Sequence, residues 1–424
     1  MQFDRFIPKR IKVDVSNFNL NSSNEEEEDD IILSGNLPFI NNGKKVARTE
    51  AFKQLMLKAF NVTYTSVLGY GEKIVKSPFS SHWPVIGRKK PTLSNPELAL
   101  DLPGMGDMDV MTYRHIIGWG KTGHLAVIFD GSLHIRDEND NVVCGVGSNL
   151  SSCLRWDPSG KRIAVRKARN QIHVLNVQKH EFEMQFSCIC VHCTVNVIEI
   201  SQNGLIITGC SKGQIVITKS EYQVVNKKKI NGKILDLKLS CKNKFLAAVT
   251  YTNVMIFAFS SLEEVMKLPC ATNLSTSVDW HPWKDFILAK GEMNKQITVY
   301  NINTKTIIEN TIVKPYFRNA SILDCLSFCP LSAELLVSFY CEFKRKPGGL
   351  TILTVFKDLN TQLDEIEYQS GRVPHIIWNS TGTKAGVLDT GENLLIWNFF
   401  GPRKDETDDI LKVKKQMMVP VASF

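Results

Sequence analysis

Four residues with metal-binding side chains lie close together in the middle of the chain: Cys188, Cys190, His192 and Cys193. Cysteine thiolate and imidazole are ligands that zinc prefers, but the spacing matches neither a paired Cys-x-x-Cys arrangement nor a zinc finger. On a β-strand, Cys188, Cys190 and His192 would share one face and Cys193 would lie on the other. We therefore expect structural side chains in this segment, with no metal and no cofactor.

Other residues that could do chemistry are scattered and do not assemble an active site. Gly118, Gly120 and Gly204 lie at turns or strand edges, without the strand-to-helix context that cradles a phosphate group. The adjacent carboxylates of Asp408 and Asp409 fall in a polar segment, where they are expected to be solvated. The sequence therefore predicts no catalytic residues and no enzyme activity of the chain itself.

Residues 4–10 (DRFIPKR) form a short segment suited to docking. Pro8 disfavours helix at Ile7 and favours an extended backbone. Phe6 and Ile7 lie between the guanidinium groups of Arg5 and Arg10, a composition that fits a groove with acidic walls. The alternative is an ordinary basic segment that frays in solvent.

Composition limits the class of protein. The chain has 424 residues, of which 43% are hydrophobic and 22% charged, as in globular proteins. Membrane spans need about 18 consecutive apolar residues, which the sequence lacks, and we expect neither membrane binding nor a secretory signal. Eleven scattered cysteines favour a reducing compartment. The net charge of +8 is dispersed, so we expect no nucleic-acid partner.

Residues 1–98 lack sustained hydrophobic periodicity and are predicted to be mostly disordered. One short amphipathic helix is predicted within them, over residues 49–60, with Thr49 as a plausible N-cap. Its apolar face would consist of Phe52, Leu55, Met56, Ala59 and Phe60. Such a helix could cover either a partner surface or the main domain.

From residue 99 onward, short apolar strands alternate with polar turns, and the pattern repeats seven times. In each repeat, the first strand closes on a bulky residue: Trp119, Trp156, Ile200, Leu239, Trp280, Phe328 and Trp378. A four-stranded propeller blade repeats about every 40 to 45 residues, close to these separations. Because only a neighbour can cover each blade's apolar face, one ring is expected. We predict an all-β fold, a seven-bladed WD-repeat β-propeller over residues 99–402, followed by a tail over 403–424.

Several motifs together resemble one family. DRFIPKR resembles the C-box of the Fizzy and Fizzy-related family, the activator subunits of the anaphase-promoting complex, a ubiquitin ligase. Residues 100–104 with 117–119 are similar to the family's entry into blade one, residues 280–283 (WHPW) to its blade five, and residues 397–402 to its blade-seven exit. His192 stands where propeller repeats place the His of their Gly-His pair. The resemblance covers nearly the whole chain.

The resemblance implies a non-catalytic substrate adaptor that docks on anaphase-promoting complex subunits through its C-box. The docking residues would be Asp4, Arg5, Phe6, Ile7, Pro8 and Arg10. The implied partners are degron-bearing cell-cycle substrates such as cyclins, and the chain would be monomeric outside the complex, in the cytoplasm and nucleus.

The resemblance also implies two degron sites on the propeller. A destruction box, an extended Arg-x-x-Leu segment, would lie between blades one and seven, with its Arg neutralised by Asp107, Asp109 and Glu392. A Lys-Glu-Asn degron would bind at Asn253 and Arg372, although Glu292 stands where the family has a neutral hydroxyl. Read without the family, the three acidic residues are better explained as solvated loop charges at Asp107 and Asp109 and a turn residue at Glu392.

The chain departs from the family at two elements: the C-terminal dipeptide that contacts the ligase, and a basic element in the N-terminal region. The family ends in Ile-Arg, whereas this sequence ends in residues 421–424 (VASF), and the family's Lys-Ile-Leu-Arg element aligns poorly near residues 65–68 (TSVL). These departures, with worn blade signatures, are most similar to the divergent insect branch that acts in germline and meiotic division. The alternative is a propeller that keeps the C-box but serves as an interaction scaffold for other partners.

Overall fold

The protein is described by a computed structural model that covers residues 83–102, 115–129, 131–137, 142–146, 151–190, 192–219, 223–270, 276–313, 321–342 and 349–401. Within these residues, 28 strands form seven four-stranded antiparallel sheets, the blades, and no helix is present. The part of the chain that the structure describes thus contains no helix that is long and apolar enough to cross a membrane.

The strands follow one another along the chain, blade by blade, from the innermost strand outward. Blade 1 consists of β2 (Ile117–Trp119), β3 (Leu125–Phe129), β4 (Ser132–Arg136) and β5 (Val142–Val146). Blade 2 consists of β6 (Ser151–Trp156), β7 (Arg162–Arg166), β8 (Gln171–Asn176) and β9 (Glu181–Ser187). Blade 3 consists of β10 (Val195–Ile200), β11 (Ile206–Cys210), β12 (Gln214–Thr218) and β13 (Val224–Lys229). Blade 4 consists of β14 (Asp236–Leu239), β15 (Phe245–Val249), β16 (Asn253–Ala258) and β17 (Glu264–Pro269).

The last three blades contain the longest strands and the closure of the ring. Blade 5 consists of β18 (Thr276–Trp280), β19 (Ile287–Glu292), β20 (Gln296–Asn301) and β21 (Thr306–Ile312). Blade 6 consists of β22 (Ser321–Phe328), β23 (Leu335–Glu342), β24 (Gly349–Asp358) and β25 (Thr361–Ser370). Blade 7 consists of β26 (His375–Trp378), β27 (Lys384–Leu388), β28 (Asn393–Asn398) and β1 (Leu98–Asp101).

The blades form one closed ring. Each innermost strand contacts the innermost strand of the next blade, and β26 contacts β2. All seven bulky residues that the sequence marked as strand ends close an innermost strand, from Trp119 at the end of β2 to Trp378 at the end of β26. The predicted seven-bladed β-propeller is therefore confirmed.

Blade 7 is completed by β1, which precedes the strands of the other six blades in the sequence. β1 pairs with β28 in antiparallel register, with Leu98 opposite Ile396 and Asp101 opposite Asn393. The N–H of Leu102 continues this pairing by donating to the carbonyl of Glu392 at 2.7 Å. Hydrogen bonds between the two ends of the propeller thus hold the ring closed.

Burial follows the position of each strand in its blade. The middle strand β15 (FLAAV) is buried along its whole length, because the adjacent blades cover both of its faces. The outermost strand β9 (EFEMQFS) alternates exposed and half-buried residues, as expected for a strand at the rim. The apolar clusters lie between neighbouring blades, so each blade depends on the next for its core.

Residues 83–97, which the sequence analysis assigned to the N-terminal region, contact the propeller. Trp83 is 1% exposed, and its indole N–H donates to the carbonyl of Ala333 at 3.3 Å. The backbone N–H of Ile86 donates to the carbonyl of Ser332 at 2.8 Å. Arg88 is buried as well. The C-box (4–10), the helix predicted over 49–60 and the tail 403–424 lie outside the described residues.

Candidate functional site

Three residues assigned to degron binding lie on one face of the propeller. We define the top face as the face at which the innermost strands begin. Arg372 lies just before β26, Glu392 lies in the turn between β27 and β28, and Asn253 begins β16. Because consecutive antiparallel strands alternate in direction, all three positions are at the top face.

Glu392 is held at the junction between the two ends of the propeller. It has a left-handed backbone (φ 69°), and its carbonyl accepts the N–H of Leu102. The side chain of Asp389 shapes the same turn by accepting N–H groups of Gly391 at 2.8 Å and Asn393 at 3.2 Å. Burial raises the pKa of Asp389. The turn therefore fixes Glu392 beside the end of β1.

Asp107 and Asp109 lie outside the described residues. They follow Leu102, the last described residue of this segment, by five and seven residues in the sequence.

Arg372 links blade 7 to blade 6. Its Nε and Nη2 atoms donate to Oδ1 of Asp324, on β22, at 2.8 and 2.5 Å. The other carboxylate oxygen of Asp324 accepts the N–H of Val373 at 3.1 Å. The Asp324 side chain is fully buried and that of Arg372 is 25% exposed. The guanidinium is therefore held in place by its inner edge, while part of it still faces solvent.

Asn253 lies on blade 4, three blades around the ring from Arg372, so the structure does not bring these two residues into contact. Its side-chain amide donates to Oγ1 of Thr252 at 2.8 Å, and its backbone N–H donates to Oγ1 of Thr250 at 3.1 Å. The half-buried side chain is thus oriented by its own turn. A ligand bound to both Asn253 and Arg372 would have to lie across the top of the ring.

Glu292, the residue at odds with the family pattern, is turned into the propeller. It is 1% exposed, and its carboxylate lies 2.5 Å from the ammonium group of Lys290, which is also buried. Lys290 donates in addition to the carbonyl of Pro269 at 2.8 Å. Because Lys290 balances its charge inside the blade, Glu292 does not present a carboxylate to the top face.

The segment with four candidate metal ligands is a loop, and the strand geometry considered for it does not form. β9 ends at Ser187 and β10 begins at Val195, so residues 188–194 connect blades 2 and 3 at the top face. His192 is exposed, with a left-handed backbone (φ 56°). Cys188 and Cys193 are buried and share a cluster with Cys210. The sequence analysis did not connect Cys210 with this segment.

Buried polar residues line the axis of the ring. A central cavity of about 560 Å³ is bordered by innermost strands. Near its top, Nε2 of His115 lies 3.2 Å from Oδ1 of Asp236, across the ring from blade 1 to blade 4. His375 packs edge-on against His115, and burial, helped by the charge of Lys238, holds the pKa of His375 well below its usual range. Burial thus keeps His375 neutral beside the contact between His115 and Asp236.

The chain is similar in sequence to three insect proteins. The chain is 26% identical over 337 residues to Protein cortex of Heliconius melpomene, with 75% of this chain and 74% of that protein covered. Proteins of the same name from Heliconius erato and Biston betularia are 24% and 22% identical over the same shares. No family model matches the chain.

Among solved structures, a chain of the "Crystal Structure of Mitotic Checkpoint Complex" matches with a TM-score of 0.62 and 17% identity. The match covers 74% of this chain and 96% of that chain, and it shows the shared fold. The insect branch that the sequence resembles is Cortex, and the relatives confirm that resemblance. The chain is thus similar to Protein cortex of these insects over about three quarters of its length, and it is folded as a seven-bladed β-propeller.

Proposed function

We propose that this protein is a substrate-recruiting coactivator of the anaphase-promoting complex, without catalytic activity of its own, that acts in meiotic or germline cell division. It docks on the ligase through the C-box and binds destruction-box degrons of cell-cycle proteins, such as cyclins, on its propeller. The homology with Protein cortex, the propeller fold and the DRFIPKR segment support this function. The protein is then expected in the cytoplasm and nucleus, monomeric outside the complex.

The observation that carries the proposal is the hydrogen bond between the Leu102 N–H and the Glu392 carbonyl. It fixes Glu392, on blade 7, beside the point where the chain leaves β1 toward Asp107 and Asp109 in the connection to blade 1. We infer that these carboxylates border the junction between blades 7 and 1. Several carboxylates converging on one guanidinium form short, charge-assisted hydrogen bonds with defined geometry. An Arg-x-x-Leu segment is the ligand that this chemistry favours.

A Lys-Glu-Asn degron is a second expected ligand of the top face. Arg372 is suited to its acidic residue, because Asp324 anchors the guanidinium while leaving part of it exposed. Glu292 does not oppose such a ligand, since Lys290 balances its charge inside blade 5. Asn253 would contact another part of the peptide, farther around the ring.

The destruction-box site is tested with a labelled Arg-x-x-Leu peptide and the purified full chain, by fluorescence anisotropy. Removing one carboxylate with Glu392→Gln, or two with the pair Asp107→Asn and Asp109→Asn, should weaken binding by about tenfold or more. Glu367→Gln, on the outermost strand of blade 6, is the control and should leave binding unchanged. If the unmodified chain does not bind the peptide, or if replacing the three acidic residues leaves binding unchanged, the protein is instead an interaction scaffold without degron binding.

The docking segment is tested separately, by affinity capture from cells that express the tagged chain. Arg5→Ala combined with Ile7→Ala should abolish co-purification of ligase subunits while leaving the propeller folded and able to bind the peptide. Lys9→Ala, which changes a basic residue of the same segment that is not assigned to docking, is the control. Retention of ligase subunits by the double variant would contradict docking through the C-box.

A further inference from the structure

Three buried cysteines converge where blade 2 meets blade 3. The Sγ atoms of Cys188, Cys193 and Cys210 all lie within 4.8 Å of one another. Cys188 and Cys193 come from the loop before β10, whereas Cys210 ends β11. Three thiols from two separate segments thus meet at one point below the top face.

The fold holds these segments together without help from the thiols. In the β10–β11 pairing, Val195 is opposite Cys210, which places Cys193 only two residues from that pair. The N–H of Ser211 donates to the carbonyl of Thr194 at 2.7 Å. At the other end of the loop, the N–H of Cys188 donates to the carbonyl of Asn170 in blade 2 at 2.9 Å. The thiols are therefore brought together by the strand register and loop anchors.

A fourth thiol lies beside the three. Cys190 is half-buried and packs against the apolar cluster that contains the other three cysteines, although its sulfur is not one of the three that all lie within 4.8 Å of one another. The group of Cys188, Cys190, Cys193 and Cys210, which we call the thiol cluster, thus offers four sulfur ligands. His192 is exposed and is not one of the grouped residues, although it lies between two of them in the sequence.

The turn after Cys210 keeps its sulfur close to backbone donors. This turn directs the N–H groups of Lys212 and Gln214 at the sulfur of Cys210. Gly213, at φ +75°, makes the turn possible, since a Cβ there would lie 2.3 Å from the carbonyl oxygen of Ile230. N–H groups around a sulfur ligand orient it toward a metal ion.

We propose that Cys188, Cys190, Cys193 and Cys210 bind one zinc ion. Four sulfur ligands in tetrahedral arrangement favour zinc among divalent ions, and a site with four protein ligands is structural because no position stays open for a substrate. Binding would release the protons of the thiols that remain protonated in the metal-free cluster. The ion would hold the loop between blades 2 and 3 in one conformation. It would thereby fix the position of the exposed His192 on the top face.

The test uses the full chain, expressed with added zinc and purified with a non-chelating reductant. Elemental analysis should find about one zinc per chain. After exchange into cobalt(II), the visible spectrum should show the intense d–d bands of tetrahedral thiolate coordination together with sulfur-to-metal charge transfer. Absence of bound metal in the folded chain, iron in place of zinc, or a disulfide within the thiol cluster would each overturn the proposal.

Alanine variants assign the ligands. Cys188→Ala, Cys193→Ala and Cys210→Ala should each reduce the zinc content at least tenfold, whereas Cys190→Ala should weaken binding less. Cys153→Ala is the control, because Cys153 is buried in the same apolar cluster but is not among the grouped thiols. Full zinc content in both Cys193→Ala and Cys210→Ala would refute the site. Since ligand variants can fail to fold, the cobalt spectrum of the unmodified chain decides the question independently.

Discussion

The Arg88 guanidinium and the Glu334 carboxylate form a fully buried ion pair, with Nη2 and Oε2 3.1 Å apart. Nη1 of Arg88 also lies 3.1 Å from Oδ2 of Asp364, and the guanidinium stacks 3.9 Å from the centre of the Phe399 ring. One side chain from the segment before the propeller therefore contacts the loop before β23, the strand β25 and the end of blade 7.

Arg88→Ala should lower the free energy of unfolding by about 3 to 5 kcal/mol, because it removes the buried cation that balances the carboxylates of Glu334 and Asp364. Urea denaturation monitored by tryptophan fluorescence measures the difference. Lys90→Ala is the control, since Lys90 is exposed two residues away. Equal stability of the two variants would show that the ion pair contributes little.

Arg372→Ala should destabilise the propeller by about 3 kcal/mol, because the fully buried Asp324 loses its partner. Asp324→Ala removes that buried charge, so the double variant should lose less stability than the sum of the single losses. The coupling energy from such a double-mutant cycle is expected to be about 1 to 3 kcal/mol. If the two losses of stability are strictly additive, the contact between Arg372 and Asp324 contributes no coupling energy between blades 6 and 7.

His375→Gln should reduce the sensitivity of the protein to acid. The pKa of His375 is lowered in the folded state by burial and by Lys238, His115 and Arg155, against an opposing effect of Asp236. Below about pH 6.5 the unfolded chain therefore binds a proton that the folded chain excludes, and stability falls by up to about 1.4 kcal/mol per pH unit.

Denaturant titrations from about pH 7.5 to about pH 5.5 should show a shallower decline for His375→Gln than for the unmodified chain. Burial raises the pKa of Glu199 and Asp389, which favours the folded state as pH falls, but both groups are common to the two proteins. Parallel curves would contradict the neutral state of His375.

Leu100→Pro should open the ring. Leu102 donates its N–H to the carbonyl of Glu392, just before β28, and antiparallel hydrogen bonds alternate along a strand, so the N–H of Leu100 also faces β28. Proline at that position removes a ladder hydrogen bond and leaves its acceptor unsatisfied, which is expected to cost about 1 to 3 kcal/mol. Ala99→Pro is the matched control, because the N–H of Ala99 faces away from β28 and an edge strand tolerates that loss. Thermal unfolding followed by circular dichroism compares the two.

The seven-fold repeat could be predicted from the sequence because each blade has the same local pattern of apolar strands and polar turns. Bulky strand ends such as Trp156 and Trp280 are followed by polar turns, and all seven mark an innermost strand in the structure. The positions of Arg372 and Glu392 at strand ends of blade 7 could be assigned by resemblance for the same reason.

Contacts between distant segments could not be predicted in this way. Asp324, the partner of Arg372, lies 48 residues earlier, on the neighbouring blade. Cys210 joins Cys193 only through the register of β10 and β11, so an argument from residues 188–193 alone could not include it. Arg88 lies in a basic, proline-containing stretch that resembles solvent-exposed sequence, and only the packing of blades 6 and 7 shows that it is buried.

The pairing of β1 with β28 has a consequence for how the protein is made. During translation β1 leaves the ribosome first among the 28 described strands, yet its partner β28 is synthesised last of them, after the other six blades are complete. Until then the edge of β27 and the edge of β1 are both unsatisfied, and the nascent ring exposes backbone hydrogen-bonding groups to other chains. A premature stop anywhere before Asn393 would leave an open ring prone to aggregation, so protein quality control should recognise truncated products as unfolded.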